Sequence, residues 1–179
     1  MKKEYILIKS EKYKVTLSFE EKDFDYYTDV YVELFFYNQS IILFKDNLLA
    51  LKNIIDRYHK NSACLDIRLD EKMLGISLND YYRGIYEEKI PDHLTQDRQG
   101  RWIGEKYCYF QVLEYATWIY RYDKKVILKV TPFFGRFAEN DYVQQYDKFI
   151  RKYNDVFREP VSSQQLENMK KIIYQLYNK

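Results

Sequence analysis

The residues of this chain that could carry chemistry are few and widely spaced. The histidines and cysteines, His59, His93, Cys64 and Cys108, do not stand at a zinc spacing such as C-x2-C or H-x3-H. The glycines are scattered and form no phosphate-binding loop before a helix. A Gly-x-Ser-x-Gly nucleophile motif is also absent from the sequence. The sequence therefore predicts no catalytic residues, no metal site and no cofactor.

Carboxylates leave one enzymatic alternative open. Glu87, Glu88, Asp92 and Asp97 lie in a stretch of little periodicity between residues 79 and 106. Two carboxylates about 5–10 Å apart could act as acid and base on a glycoside. Exposed turns are routinely acidic, however, and no pattern here predicts the burial that would raise a pKa. A hydrolase or nuclease-like enzyme using carboxylates of residues 79–106 is the alternative function.

Charge and hydropathy exclude two classes of partner. The net charge of +2 comes from 29 basic and 27 acidic residues, which gives no overall field to attract nucleic acid. No apolar run approaches the roughly 18 residues of a membrane-spanning helix, and Tyr5–Ile8 is too short for a signal sequence. The two cysteines lie in apolar runs, as reduced core residues do. We expect a cytoplasmic protein that binds neither nucleic acid nor a membrane.

The first half of the chain reads as strands with one helix. Strands are predicted at residues 4–9, 12–19, 26–37 and 41–44 from their alternation and the turns between them. Asp46 is the predicted N-cap of a helix with Leu48, Leu51 and Ile55 at helical spacing. Two further strands, Ala63–Leu69 and Met73–Leu78, are predicted to flank a turn.

The second half centres on Tyr107–Phe137, which reads as three strands with a hairpin turn at Tyr122–Lys125. Apolar residues from Tyr142 to Tyr153 then recur at helical spacing. Ser162 and Gln165 form a capping-box pattern before a last helix. Short turns between strands and grouped helices predict a single α+β domain over residues 1–179, with a largely antiparallel β-sheet and three helices packed mainly on one face. An irregular loop at 79–106 and a C-terminal helical pair at 140–179 complete this interpretation.

The aromatic residues point to binding. The chain has 20 tyrosines, and tyrosine, tryptophan and arginine dominate the energetics of protein interfaces. These residue types, with adjacent acids that would suit a basic partner, concentrate in the irregular loop. The predicted partner-binding residues are Tyr81, Tyr82, Arg83, Tyr86, Glu87, Glu88, Arg98, Arg101 and Trp102. The predicted partner is another protein, and a homo-oligomeric structural domain with an exposed sheet edge is a further alternative.

Two resemblances bear on function. Gly84-Ile85-Tyr86 and Trp102-Ile103-Gly104 resemble the opening motif of GIY-YIG nucleases, but Trp102 stands where that family has tyrosine, and the helix from Tyr142 carries no glutamate for a metal. The stretches Trp102–Tyr107, Trp118–Tyr120 and Val130–Phe134 resemble small uncharacterised bacterial proteins, some of which are encoded beside polymorphic toxins as immunity proteins. The second resemblance implies a toxin-neutralising binder, or inhibitor, without chemistry of its own. It carries over no functional residues.

Overall fold

The computed structural model describes residues 1–60 and 66–178, and within them the protein is α+β with two antiparallel sheets. The strands are β1 (Lys2–Lys9), β2 (Tyr13–Glu20), β3 (Asp29–Phe36), β4 (Gln39–Asn47), β5 (Cys108–Gln111), β6 (Tyr115–Tyr122), β7 (Lys125–Pro132) and β8 (Phe157–Pro160). The helices described are α1 (Leu48–Lys60), α2 (Leu74–Tyr86), α3 (Tyr142–Arg151) and α4 (Ser163–Tyr177), with a 3-10 turn at Glu105–Tyr107. The strand orders are β1-β2-β3-β4 and β5-β6-β7-β8.

The chain divides into two compact units, one of Met1–Leu65, Asp123–Val126 and Pro160–Lys179, the other of Asp66–Tyr122 and Ile127–Glu159. In the first unit, β1 to β4 form an antiparallel meander. Val30, Val32 and Leu34 alternate along β3 and are fully buried on one face. Helix α1 packs against β4 and α4, and α4 also packs against β1. This unit matches the predicted strand order because each hairpin is local in sequence.

The caps of the two helices in this unit differ in how well they were predicted. The Ser162 hydroxyl accepts a hydrogen bond from Gln165 N at 3.1 Å, and the Gln165 side chain accepts one from Ser162 N at 2.8 Å, so the predicted capping box is present. The N-cap of α1 is Asn47 and not Asp46, because Asn47 Oδ1 accepts from Ala50 N at 2.8 Å. Asp46 instead accepts from the Asn47 backbone and side chain.

The second sheet contains the predicted hairpin and one strand that the pattern did not reveal. Asp123 and Lys124 have φ values of 47° and 62° between β6 and β7, as a two-residue hairpin turn requires. The flanks of β8 bond to β7: Val156 N donates to Val130 O at 2.9 Å and Val161 N to Val126 O at 3.0 Å. Strand β8 has only four residues and ends in proline, so it carries no period that sequence could show.

The region from Met73 to Tyr86 corrects the sequence interpretation. The predicted strand Met73–Leu78 is wrong, and so is the irregular assignment of residues 79–86, because both lie at or in α2. Leu74, Leu78 and Tyr81 share its buried face at helical spacing. The described residues therefore contain four helices and two sheets, where the sequence predicted three helices and one sheet. Of the predicted strand Ala63–Leu69, residues 63–65, including Cys64, lie outside those described.

The length and apolar character of the helices were compared with what a membrane span requires. Within residues 1–60 and 66–178, none is both long enough and apolar enough to cross a bilayer.

Candidate binding surface

The nine predicted binding residues separate into three groups. Tyr81 and Trp102 are buried, with their ring centroids 6.3 Å apart, and Trp102 also contacts Trp118 edge-on. Tyr82 is half-buried, and its ring meets Phe133 edge-on at 5.2 Å. Tyr81 and Trp102 therefore belong to the core, and we withdraw them from the binding surface. Tyr81 is buried because α2 turns it inward, and Trp102, which lies outside α2, is buried by its ring contacts with Tyr81 and Trp118.

Arg98 and Arg101 lie on a tight turn that Asp97 organises. Asp97 Oδ1 accepts hydrogen bonds from the backbone of Gln99 at 2.8 Å and of Arg101 at 3.0 Å. Its Oδ2 accepts from the Arg101 guanidinium at 3.0 and 3.2 Å. These donors, the Arg101 backbone first, lower the pKa of Asp97. Arg98 is exposed on the same turn, whereas the charge of Arg101 is paired.

The other four residues, Arg83, Tyr86, Glu87 and Glu88, lie at the C-terminal end of α2, where the first three contact α3. Arg83 Nε donates to Glu87 Oε1 at 2.8 Å, and the Tyr142 hydroxyl donates to the same oxygen at 3.0 Å. The ring of Tyr86 lies 5.0 Å from that of Tyr142, edge to face. The hydrogen bond from Arg83 is the main cause that lowers the pKa of Glu87, and the bond to Glu87 raises that of Tyr142. Two helices are thus joined by one carboxylate.

Apolar side chains stand beside this carboxylate and remain exposed. Ile85 and Tyr86 each expose 49% of their surface, and Val143 exposes 44%. We call the group formed by Ile85, Tyr86, Glu87, Glu88, Tyr142 and Val143 the α2–α3 surface. Of its members, the sequence had indicated Tyr86, Glu87 and Glu88. Tyr142 and Val143 were missed because only the packing of α3 against α2 brings them there. Ile85 was missed because aliphatic residues were not among the types that indicated binding.

A buried aromatic cluster packs against Tyr142 of the α2–α3 surface. Phe134, Phe137 and Tyr146 are buried together, with Tyr142 packed against them. The Tyr146 hydroxyl donates to Asp80 Oδ1 at 2.8 Å, and burial followed by this bond raises the pKa of Tyr146. The Arg83 guanidinium also lies 5.0 Å from the centre of the Tyr146 ring. The exposed ring of Tyr86 also stacks on Phe137 of this cluster, with the ring centroids 6.2 Å apart.

A second group of polar residues surrounds a lysine that the sequence did not single out. Lys129 is 1% exposed, and its Nζ donates to Glu71 O at 2.7 Å and contacts Asp155 Oδ2 at 2.9 Å. The Glu71 carboxylate accepts from the Tyr120 hydroxyl at 2.8 Å and from Arg158 Nη2 at 3.0 Å. Burial, and then Glu71, raise the pKa of Tyr120. The only sequence signal was a lone lysine within the apolar run of β7.

This group, in which Lys129 is buried while Asp155 and Arg158 reach solvent, has the chemistry of a structural anchor. Its two cations face two carboxylates, so it offers no surplus charge to a ligand. It ties the residues just before α2 to β6, β7 and β8.

Two carboxylates of residues 79–106, Glu87 and Asp97, lack the raised pKa of a general acid. A general acid requires a raised pKa, whereas the pKa values of Glu87 and Asp97 are lowered by their donors. Within residues 1–60 and 66–178, no three His, Cys, Asp or Glu residues are grouped so as to hold a metal ion.

The fold and this surface define an α+β protein with two antiparallel sheets and an exposed aromatic patch beside acidic groups. In comparisons with protein-family models, curated proteins and solved structures, no match to the chain was found.

Proposed function

We propose that this chain is a non-enzymatic protein that binds another protein, and that it acts as a bacterial toxin-immunity or inhibitor protein in the cytoplasm. The observation that carries the proposal is the exposed ring of Tyr86, held at 5.0 Å from Tyr142 while Tyr142 is bonded to Glu87. Fixed aromatic side chains lose little entropy when a partner covers them, which makes them effective interface anchors.

The neighbours of Tyr86 fit the same role. Ile85 and Val143 add apolar area beside it, and Glu87 lies at the edge with its charge paired to Arg83. An apolar centre with a polar margin is the usual anatomy of a protein interface. The lowered pKa values of Glu87 and Asp97 disfavour either residue as the general acid of the hydrolase alternative.

The test is co-expression of the chain with the products of the genes on either side of its own. We expect one product to be toxic alone, to be neutralised by this chain and to co-purify with it. Tyr86→Ala should weaken the complex at least about tenfold, as loss of an interface anchor does. Tyr37→Ala is the matched control, because Tyr37 is 84% exposed and lies in the β3–β4 turn.

Two results would contradict the proposal. One is that neither neighbouring product co-purifies or is neutralised. The other is a complex that Tyr86→Ala and Tyr37→Ala affect equally. A solution mass at twice the chain mass of 22.1 kDa, lost on Tyr86→Ala, would show instead that the surface pairs two copies of this chain.

A further inference from the structure

The end of α2 breaks a local rule of helix termination at Glu88. Its φ is +55°, in the left-handed region where helices usually place glycine. Lys89 N closes the helix by donating to Gly84 O at 2.7 Å, so the backbone needs this conformation here. Glutamate lacks the short side chain that lets aspartate or asparagine adopt it readily. Glu88 therefore costs stability at a position where glycine would not.

The negative charge of Glu88 is also unfavourable at this end of the helix. The C-terminal end of a helix carries partial negative charge, so carboxylates there are unfavourable. Glu87 is compensated by Arg83 at 2.8 Å. Glu88 is exposed, and no side chain in the described part of the chain forms an ion pair with it. Two local costs without local compensation are expected where a residue serves function.

The surroundings of Glu88 share its sign. Residues 80–93 and 136–151, which include all of α3, hold seven carboxylates against five arginine and lysine side chains, in a chain whose net charge is +2. Glu139 and Asp141 are held in place by Gln145 Nε2, at 2.9 and 2.6 Å. They precede Tyr142, whose hydroxyl bonds to Glu87, so these acids border the α2–α3 surface.

We propose that the α2–α3 surface docks a lysine- or arginine-rich surface of another protein, with Glu88 as a binding residue kept at the expense of stability. This inference rests on the proposed function and names the chemistry of its partner. Clustered carboxylates attract and orient a cationic partner, and the apolar rings beside them receive the stems of its long basic side chains.

In the first experiment the full chain is titrated with decalysine in 50 mM NaCl, and binding is monitored through the backbone amide NMR shifts. We expect the largest shifts at residues 85–88 and 139–143, and at least an about tenfold weaker Kd at 300 mM NaCl, because surface charges are then screened. Decaglutamate should cause no shifts. The acidic turn at residues 20–25 serves as an internal comparison, since it carries four carboxylates and one lysine.

Two variant pairs separate binding from folding. Asp23 is the matched control for Glu88, because it is also exposed and also left-handed, with φ of 53°. Glu88→Lys should weaken the binding of decalysine at least about fivefold, and Asp23→Lys should weaken it less than about twofold. Glu88→Gly should bind more weakly while its Tm is equal to or above that of the native chain, because glycine relieves the backbone.

The outcomes distinguish this inference from the proposed function. Shifts spread over the 20–25 turn as strongly as over residues 85–88, or a Kd that Glu88→Lys leaves unchanged, would overturn the basic-partner inference. The proposed function would still be tested separately, by co-expression and the Tyr86→Ala variant. A lower Tm for Glu88→Gly would show that Glu88 serves the fold, and would overturn its assignment as a binding residue.

Discussion

The side-chain oxygen of Asn79 accepts a hydrogen bond from the backbone N–H of Phe134 at 2.7 Å. The Asn79 amide nitrogen donates to Gly75 O at 2.7 Å and to Pro132 O at 3.1 Å. Asn79 is 0% exposed, so these bonds satisfy a polar group in the protein interior. One asparagine thus fastens α2 to the chain that leaves β7, beneath the α2–α3 surface.

Removal of the Asn79 side chain should destabilise the protein strongly. In Asn79→Ala the Phe134 N–H and the Pro132 carbonyl stay buried without partners, which costs about 2–4 kcal/mol of unfolding free energy. Urea denaturation measures it. Asn154→Ala is the control, because Asn154 is exposed and makes one bond to Lys152 O. A loss for Asn79→Ala no larger than for the control would contradict the role assigned to Asn79.

The buried Lys129 of β7 should contribute more to stability than the exposed Lys124 of the β6–β7 turn. Lys129→Met keeps the apolar stem but leaves the Glu71 carbonyl without its donor and Asp155 without its partner. We expect a loss of about 1–3 kcal/mol, given that Asp155 still reaches solvent. Lys124→Met, in the exposed β6–β7 turn, should change stability by less than about 0.5 kcal/mol. Equal effects in guanidinium denaturation would count against the anchor.

Removal of the Tyr153 hydroxyl should not destabilise the protein, whereas filling the space beside that hydroxyl should. That hydroxyl is buried without a hydrogen-bond partner in the described residues, and burial raises the pKa of Tyr153. Tyr153→Phe should therefore be neutral or stabilising. A Cβ at Gly75 would overlap the same hydroxyl oxygen and lie 2.7 Å from Thr131 Cβ, so Gly75→Ala should lower the Tm.

The two substitutions should also interact. Gly75→Ala combined with Tyr153→Phe should recover part of the lost Tm, because the overlapping oxygen is gone. Calorimetry of the three variants checks this. A double variant no more stable than Gly75→Ala alone would place the strain at Thr131 instead.

Glu87 should make the stability depend on pH in acid. The folded state lowers its pKa from the ordinary value of 4.5, chiefly through Arg83. A lowered carboxylate pKa contributes stability that is full above that ordinary value and is lost as pH falls through the folded value. The difference in stability between the native chain and Glu87→Gln should be full at pH 7 and diminish as the pH falls below 4.5. Glu105→Gln is the control, and a difference that does not diminish below pH 4.5 would contradict the pairing.

The sequence alone determined the parts of this fold that neighbouring residues decide. Alternation along Val30–Phe36 predicted β3, the Tyr122–Lys125 turn predicted the β6–β7 hairpin, and Ser162 with Gln165 predicted the start of α4. In each case the contacts that form the element lie a few residues apart, so local propensity and final structure agree. The excess of tyrosine, and its concentration near residues 81–86, was also readable in advance.

The tertiary structure decided which of those side chains face outward. Met73–Leu78 alternates like a strand, but Leu74, Leu78 and Tyr81 find their buried partners only when the chain is helical. Tyr81 and Tyr86 share one helix, yet one lies in the core and the other on the surface. Lys129 is buried because Glu71 and Asp155, 58 and 26 residues away in sequence, supply its partners. Burial depends on such distant contacts, and a local pattern does not contain them.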